Sequence, residues 1–317
     1  MFSGILNVRK EAGFTSNDVV AKLRGILRQR KIGHAGTLDP DATGVLPVLL
    51  GSATRLSGRM TDQTKAYRCV LLLGKTTDTQ DISGTVLSEH STDYLTEEMA
   101  EKAVFSFLGS YEQTPPMYSA KKVGGRKLYD LARQGITVER KSVPVEILSI
   151  RIEEMNLPRL VLNVSCSKGT YIRTLCADIG EKLGCGGCME KLERIRSGGL
   201  YIEDSISLAE IEELLREGRL EEKIIPAEEM FLDLLRVRTG SGADRKLKNG
   251  NALRPAELGL YRPGECSIQE AENAPAIRIP EEYFPERLRV CDSMGNFLAV
   301  YRFDPSEGIY RPDLMFL

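Results

Sequence analysis

The sequence predicts an α+β fold, in which flanking helices pack on a mixed, largely antiparallel sheet and a small β-rich domain follows. Strand-like runs outnumber helical patterns and often follow one another with no helix between them, which disfavours a doubly wound parallel sheet. After about Leu235 the pattern changes to short strands with Gly and Pro turns. The chain of 317 residues is 42% hydrophobic and 28% charged, enough for two unequal domains. We expect a first domain over residues 1–234 and a second over 235–317.

The first elements follow from hydrophobic periodicity and capping signals. Residues 5–8 predict a short strand. Thr15-x-x-Asp18 resembles a capping box and predicts the start of a helix. Residues 67–73 form a β-rich run closed by Gly74. The predicted helix carries one apolar stripe, made of Val19, Val20, Leu23, Ile26 and Leu27.

Further elements follow in the same way. Residues 145–152 and 160–166 predict two strands around a turn at 156–158, and residues 171–183 have helical spacing. An acidic helix over 208–217 is expected to mark a domain edge. In the second domain, residues 292–296 predict a hairpin turn between strands at 288–291 and 297–303.

The overall charge neither indicates nor excludes a nucleic-acid partner. Forty-three basic and 45 acidic residues give a net charge of −2 and a pI near 6.0. Local charge is more informative, because residues 19–38 hold five basic residues and no acid. Residues 119–141 hold seven basic residues, with Tyr118 and Tyr129 nearby, and this combination is typical of polynucleotide binding.

Targeting signals and cysteines indicate the compartment. The first nine residues do not have the pattern of a signal peptide, and the longest apolar runs are far shorter than the roughly 20 residues of a membrane span. Seven scattered cysteines, an odd number, indicate reduced thiols rather than a disulfide framework. We therefore expect a cytoplasmic protein with no membrane contact.

The segment from Gly33 to Gly44 has the clearest chemical signal, because it places one acid, Asp39, among small residues. Its glycines allow tight turns and leave room beside the carboxylate. Pro40 restricts the backbone and holds Asp39 extended. Taken alone, the segment is compatible with a turn, with a phosphatase site or with another use of an exposed acid.

Three short motifs suggest other chemistry and are poorly supported. Residues 39–43 match the D-x-D-x-T signature of aspartate-nucleophile phosphatases, but no buried apolar strand is predicted before them and no downstream acidic pair stands out. Gly74-Lys75-Thr76 lacks the earlier glycine of a phosphate-binding loop. Cys185-x-x-Cys188 has no second pair for a zinc site and is better explained as a turn after a helix. No metal site is expected.

Several segments together resemble one family, the bacterial tRNA pseudouridine-55 synthases of the TruB type, from Gly4 to the C-terminus. One departure is Glu11, where this family usually has proline. Five motifs in the family's order are far more specific than any one of them. They are Lys10-x-x-Gly13-x-Thr15-Ser16, Gly33-His34-x-Gly36-x-Leu38-Asp39-Pro40-x-Ala42-Thr43-Gly44, Lys65-x-Tyr67-Arg68, Cys166-Ser167-Lys168-Gly169-Thr170-Tyr171-Ile172-Arg173 and Leu192-x-Arg194-x-Arg196-Ser197-Gly198.

The resemblance implies the pseudouridine synthase fold and an isomerase that flips out uridine 55 in the T-loop of tRNA and converts it to pseudouridine without a cofactor. It implies that Asp39 is the catalytic carboxylate, that Tyr67 packs on the target uracil and that Arg173 pairs with the Asp. The remaining positions that it assigns to the substrate are His34, Tyr171, Leu192 and Lys10.

The resemblance also implies the RNA-binding regions. An insertion over about 112–141 would close over the RNA, and residues 235–317 would form an accessory PUA-like domain. The expected partner is the T-arm of tRNA, bound by a monomer; the alternative is a non-catalytic RNA-binding protein or tRNA folding chaperone. The residues expected to contact the RNA backbone are Lys22, Arg28, Lys121, Lys122, Arg126 and Lys127.

Overall fold

The chain folds around one large sheet, and a second, smaller sheet is built from its C-terminal part. The computed structural model describes residues 1–261, 277–278 and 283–317. The strands before residue 235 are β1 Gly4–Lys10, β2 Ile32–His34, β3 Thr43–Leu50, β4 Lys65–Leu73, β5 Lys75–Thr77, β6 Val86–Glu89, β7 Gly109–Gln113, β8 Lys122–Val123, β9 Arg126–Lys127, β10 Val143–Asn156, β11 Arg159–Cys166, β12 Gly187–Ser197 and β13 Leu200–Tyr201. The α-helices in the same part are α1 Ser16–Ile26, α2 Ser57–Thr61, α3 Glu97–Phe105, α4 Leu128–Ala132, α5 Ile172–Lys182 and α6 Leu208–Arg216.

The large sheet has the order β1-β3-β12-β4-β11-β10-β7, with β2 beside β3 and β13 beside β12. Its ladders are antiparallel except for a short parallel contact between β12 and β3, where Glu193 faces Thr43 and Arg194 faces Gly44. The predicted α+β class with a mixed, largely antiparallel sheet is therefore confirmed.

The first predicted helix forms as its capping signal indicates. The Thr15 hydroxyl accepts a hydrogen bond from the Asp18 amide at 3.1 Å, and the Asp18 carboxylate accepts one from the Thr15 amide at 2.8 Å. This reciprocal pair satisfies two amide groups at the start of α1. The apolar stripe packs in a core shared with β1 and β3, in which Val19, Val20 and Leu23 are buried.

Five strands of the large sheet are absent from the elements that the sequence pattern predicts: the short β2, β7 and β13, and the longer β3 and β12. β3 is a continuous apolar run that is buried on both faces, so it lacks the alternation typical of a half-exposed strand. β12 lies in the middle of the sheet but carries Glu190, Lys191, Glu193 and Arg194 among its apolar residues. Because of these charged residues, the sequence of β12 lacks the run of apolar residues that predicts a central strand.

The C-terminal part forms a four-stranded sheet with the order β14-β17-β18-β19. The predicted hairpin is confirmed: the Asp292 carboxylate in its turn accepts hydrogen bonds from the amides of Met294 and Asn296 at 3.1 and 2.8 Å. Tyr301 and Tyr310 are buried in the core of this part. Its elements are β14 Leu235–Arg238, α7 Asp244–Lys248, β15 Leu260–Tyr261, β16 Ile277–Arg278, β17 Arg287–Cys291, β18 Phe297–Asp304 and β19 Ile309–Met315.

An aromatic cluster joins the two sheets. The ring of Phe231, which precedes β14, lies 6.0 Å from the ring of Phe297 and 5.9 Å from that of Phe316. The guanidinium of Arg59 lies over the ring of Phe231, 4.8 Å from its centroid. The same buried cluster contains Ile5 of β1, Leu49 of β3 and Val300 of β18, so the C-terminal sheet packs on the large one through apolar side chains. No helix in the described part of the chain is long and apolar enough to cross a membrane.

Candidate active site

The loop that carries Asp39 connects β2 to β3, and buried polar side chains fix its backbone. The ammonium group of Lys10, which is only 1% exposed, donates hydrogen bonds to the carbonyls of Pro40 at 2.8 Å and Ala42 at 2.6 Å. The Ser16 hydroxyl, at the start of α1, accepts a hydrogen bond from the Leu38 amide at 2.9 Å. The positions on both sides of Asp39 are therefore held by other elements.

Arg194 on β12 holds the start of the same loop and the strand that follows it. Its guanidinium donates to the carbonyls of Gly36 at 2.9 Å and Val45 at 2.7 Å, and its side chain is almost fully buried. Gly44 is required at this contact: its φ is +99°, and a Cβ there would lie 2.2 Å from the Arg194 carbonyl oxygen. The family resemblance placed Arg194 within a motif but gave it no role.

Asp39 and Arg173 form the charged pair that the sequence analysis expected. Arg173 lies in the first turn of α5, and its Nε and Nη2 approach the two carboxylate oxygens of Asp39 at 3.0 and 3.3 Å. The guanidinium side chain is 5% exposed and the carboxylate side chain 38%. Such a bidentate contact fixes the orientation of the carboxylate and leaves part of it open to another molecule.

The guanidinium of Arg173 is itself held by residues that the sequence analysis missed. It donates to the carbonyl of Thr79 at 3.0 Å and to that of Tyr118 at 2.8 Å, and it lies 3.6 Å from the carboxylate of Asp81. These residues come from the loop after β5 and from the insertion. No periodicity or motif in the sequence distinguishes them, since two of the contacts use backbone oxygens.

The charges around Asp39 have opposing effects on its titration. Burial raises the pKa of Asp39 above its ordinary value; Arg173 opposes this rise and the nearby Asp81 adds to it. Removal of water also lowers the pKa of Lys10 to about 8, although Asp41 and Asp39 favour its charged form. Arg173 and Lys10 are thus the cations that favour the ionised carboxylate.

Tyr67 lies in β4, opposite Arg194 in the ladder with β12. Its ring belongs to the apolar cluster that also contains Leu38, Ala42 and Leu192, so the predicted aromatic and the predicted leucine lie beside the Asp39 loop. Only 8% of Tyr67 is exposed, and burial raises the pKa of its phenol. The hydroxyl is therefore protonated at neutral pH.

The other two predicted substrate residues occupy different parts of the site. His34 ends β2, where it pairs with Val48, and its buried Nδ1 has no hydrogen-bond partner among the described residues. Burial and the charge of Arg194 lower the pKa of His34, which favours the neutral imidazole. Tyr171 caps the start of α5 through its backbone.

Five of the six basic residues expected to contact the RNA backbone are exposed on the surface. Lys22 and Arg28 are exposed on and just after α1, and Lys22 lies 4.3 Å from the ring centroid of Phe14. The insertion carries the others; Lys121 is half-buried and the remaining three are exposed. These three are Lys122, Arg126 and Lys127. Arg126 and Lys127 also donate hydrogen bonds to polar side chains of the insertion.

The motifs that suggest other chemistry have plain structural explanations. Both cysteines are buried; Cys185 lies in the turn after α5, as expected, and Cys188 is the second residue of β12. Asp41 is exposed, and the nearest strand before Asp39 is the three-residue β2, which ends at His34. Among the described residues, no group of three or more His, Cys, Asp or Glu side chains is placed to hold a metal ion.

Comparison with known proteins identifies the class of protein first. Residues 24–172 match the family described as TruB family pseudouridylate synthase, N-terminal domain, and residues 173–232 match the tRNA pseudouridylate synthase B C-terminal domain. Together these matches cover Asp39, Tyr67 and Arg173 and more than half of the chain. The chain therefore belongs to the TruB family of pseudouridylate synthases.

Individual relatives agree with this assignment. A tRNA pseudouridine synthase B from Lachnoclostridium phytofermentans is 44% identical over 99% of this chain and 100% of its own length. One from Lactococcus lactis subsp. cremoris is 46% identical over 98% of this chain and 97% of its own length. A chain from the crystal structure of a Cbf5-Nop10-Gar1 complex shares the fold, with a TM-score of 0.68 and 23% identity over 99% of this chain and 85% of that one.

Proposed function

We propose that this TruB family member is a tRNA pseudouridine synthase, an isomerase that acts on uridine 55 of the T-loop with Asp39 as its catalytic carboxylate. The observation that carries the proposal is the bidentate pair of Asp39 with the buried Arg173, on a loop fixed by Lys10 and Arg194. The carboxylate is oriented, partly open and next to an aromatic residue. This arrangement suits attack on a base that has been turned out of its stack.

The reaction breaks the bond from uracil N1 to ribose C1′, rotates the base and forms a bond from C5 to C1′. The proton on C5 is lost and N1 gains one, so there is no net redox change. Asp39 starts this sequence by attacking C1′ or C6, or by removing a proton from the sugar. In each route the carboxylate must be ionised, which Arg173 favours by charge and by two hydrogen bonds.

The flipped uridine loses its stacking partners and needs new contacts in the protein. We assign the aromatic contact to Tyr67 and further substrate contacts to Tyr171 and Leu192, and we give Lys10, the other predicted substrate residue, an indirect role. Lys10 acts through the loop backbone, since its ammonium group already binds three carbonyl oxygens. His34 would occupy the space that the flipped nucleotide leaves, and its neutral ring suits stacking there.

RNA binding outside the active site is assigned to the insertion at 112–141, to the basic residues on α1 and to the PUA-like second domain at 235–317. The exposed cations of the insertion and of α1 support contacts with phosphates. A tRNA substrate and six free thiols among the described cysteines fit a cytoplasmic protein. We propose that the monomer acts on the T-arm without a protein partner.

The test uses a T-arm stem-loop with tritium at C5 of the target uridine. The wild-type protein should release tritium to water, and Asp39→Asn should abolish release while it still binds the RNA. If the wild-type protein instead refolds tRNA without any release, it is a non-catalytic RNA chaperone and the proposal is wrong. A control RNA with the label at a neighbouring uridine should release nothing.

A further inference from the structure

The side chain of Gln113 forms a contact that nothing in the proposed reaction uses. Gln113 is the last residue of β7, where the insertion begins, and it is 0% exposed. Its amide oxygen accepts a hydrogen bond from the Tyr171 amide at 2.8 Å, and its amide nitrogen donates to the Tyr171 carbonyl at 3.0 Å. The second N–H of the same group donates to the hydroxyl of Tyr111. Every strong hydrogen-bonding position of this buried carboxamide except one oxygen lone pair is thus occupied.

The contact falls on the residue where α5 starts. Tyr171 is the N-cap of α5 and has no side-chain capping bond of its own. Its amide lies outside the helical hydrogen-bond ladder, so Gln113 satisfies a donor that would otherwise be unpaired. A side chain 58 residues away in sequence therefore fixes the position of the residue that caps α5.

Arg173 is two residues further along the same helix start. Because a helical turn is stiff, a shift of the Tyr171 backbone moves the Arg173 guanidinium and its 3.0 Å contact with Asp39. Displacements of about 1 Å at a reacting group can cost about 100-fold in rate. The position of Tyr171 thus controls the geometry of the charged pair.

The chain that follows Gln113 reaches the same guanidinium from the other side. Five residues later, the carbonyl of Tyr118 accepts a hydrogen bond from Arg173 at 2.8 Å. The segment between them contains Pro115 and Pro116, both buried, which limit its flexibility. The first residues of the insertion therefore make two contacts near Arg173. Gln113 binds the backbone of Tyr171 at the helix start, and the Tyr118 carbonyl binds the Arg173 guanidinium.

We propose that Gln113 is a positioning residue for the isomerisation: by clamping the Tyr171 backbone it sets the Arg173 guanidinium against Asp39 and couples the insertion to the active site. The inference rests on the proposed roles of Asp39 and Arg173. It concerns the chemical step rather than RNA affinity, because Gln113 is fully buried and touches no solvent.

The test compares Gln113→Met and Gln113→Glu with wild-type protein in single-turnover tritium release from the labelled T-arm at saturating protein. Met keeps the volume and removes all three bonds, and the Tyr171 carbonyl still accepts from the Leu175 amide, so this variant should fold. Glu keeps one acceptor and loses both donors. Both should release tritium at least about 10-fold more slowly at saturation, with RNA dissociation constants within about 3-fold of wild type. The matched control, Ser110→Ala, alters an exposed residue of the same strand outside the insertion and should leave the rate unchanged.

A double variant separates positioning from a merely structural role. If Gln113 acts through Arg173, Gln113→Met should add little to the loss that Arg173→Ala causes by itself. Multiplied losses in the double variant, or a wild-type rate at saturation in folded Gln113→Met or Gln113→Glu, would overturn the inference. These results are distinct from failure of the proposed function, in which the wild-type protein itself releases no tritium.

Discussion

Replacement of Arg173 by alanine perturbs the chemical step most directly. The change removes the cation that contacts both oxygens of Asp39 and leaves the carboxylates of Asp39 and Asp81 without the charge between them. It also leaves the carbonyls of Thr79 and Tyr118 without their donor. The change leaves the lysines and arginines of the insertion that we propose as RNA contacts, so binding should be largely retained.

The magnitude follows from the burial of the pair. Loss of one partner of a fully buried ion pair costs roughly 3–5 kcal/mol. Because Asp39 is 38% exposed, water recovers part of this, and about 3 kcal/mol is the appropriate figure. If the whole penalty appears in the transition state, the rate falls about 150-fold.

The effect on pH dependence has a definite sign. The pKa of Asp39 is raised by burial, and Arg173 opposes that rise. Without Arg173 the pKa rises further, so protonation of the carboxylate begins at a higher pH. The acid limb of the rate profile should therefore move to higher pH in Arg173→Ala.

Single-turnover tritium release at saturating protein, measured from pH 5 to pH 9, tests both expectations, with filter binding for affinity. Arg159→Ala is the matched control. Arg159, the first residue of β11, also forms a bidentate ion pair, with Glu190, but at an exposed position. Weakened RNA binding with an unchanged rate at saturation would refute the assignment of Arg173 to the chemical step.

Three further predictions concern other parts of the molecule. Tyr67→Leu should bind the T-arm more weakly than Tyr67→Phe in filter binding, since only Phe keeps an aromatic face; equal affinities of the two variants would contradict the aromatic contact. Gly44→Ala should lower the free energy of unfolding in urea by about 3 kcal/mol or more, because its Cβ would lie 2.2 Å from the Arg194 carbonyl and its φ is +99°; an unchanged midpoint would contradict the close packing. Lys122→Ala and Arg126→Ala should each reduce the slope of log affinity against log salt by about 0.7 to 1, and a slope equal to that of wild type would remove both from the RNA contacts.

Local signals in the sequence determine much of the fold. The capping box at Thr15 and the turn at Asp292 form as predicted, because their hydrogen bonds join residues within four positions of each other. β12 escapes prediction because the burial of Arg194 depends on hydrogen bonds to the backbone carbonyls of Val45 and Gly36, which lie 149 and 158 residues earlier in the chain. From the sequence pattern alone, a charged residue such as Arg194 is expected on the surface.

For the candidate site, the sequence by itself determined which chemistry-bearing residues are present and, through ordered family motifs, that Asp39, Tyr67 and Arg173 belong together. Only the tertiary structure decided how the pair is held: by Asp81 and two backbone carbonyls around the guanidinium, and by Gln113 at the start of its helix. The physical reason is that these contacts join distant segments, and several use backbone atoms that every residue has. Their strength comes from burial and geometry, which exist only once the sheet has brought the segments together.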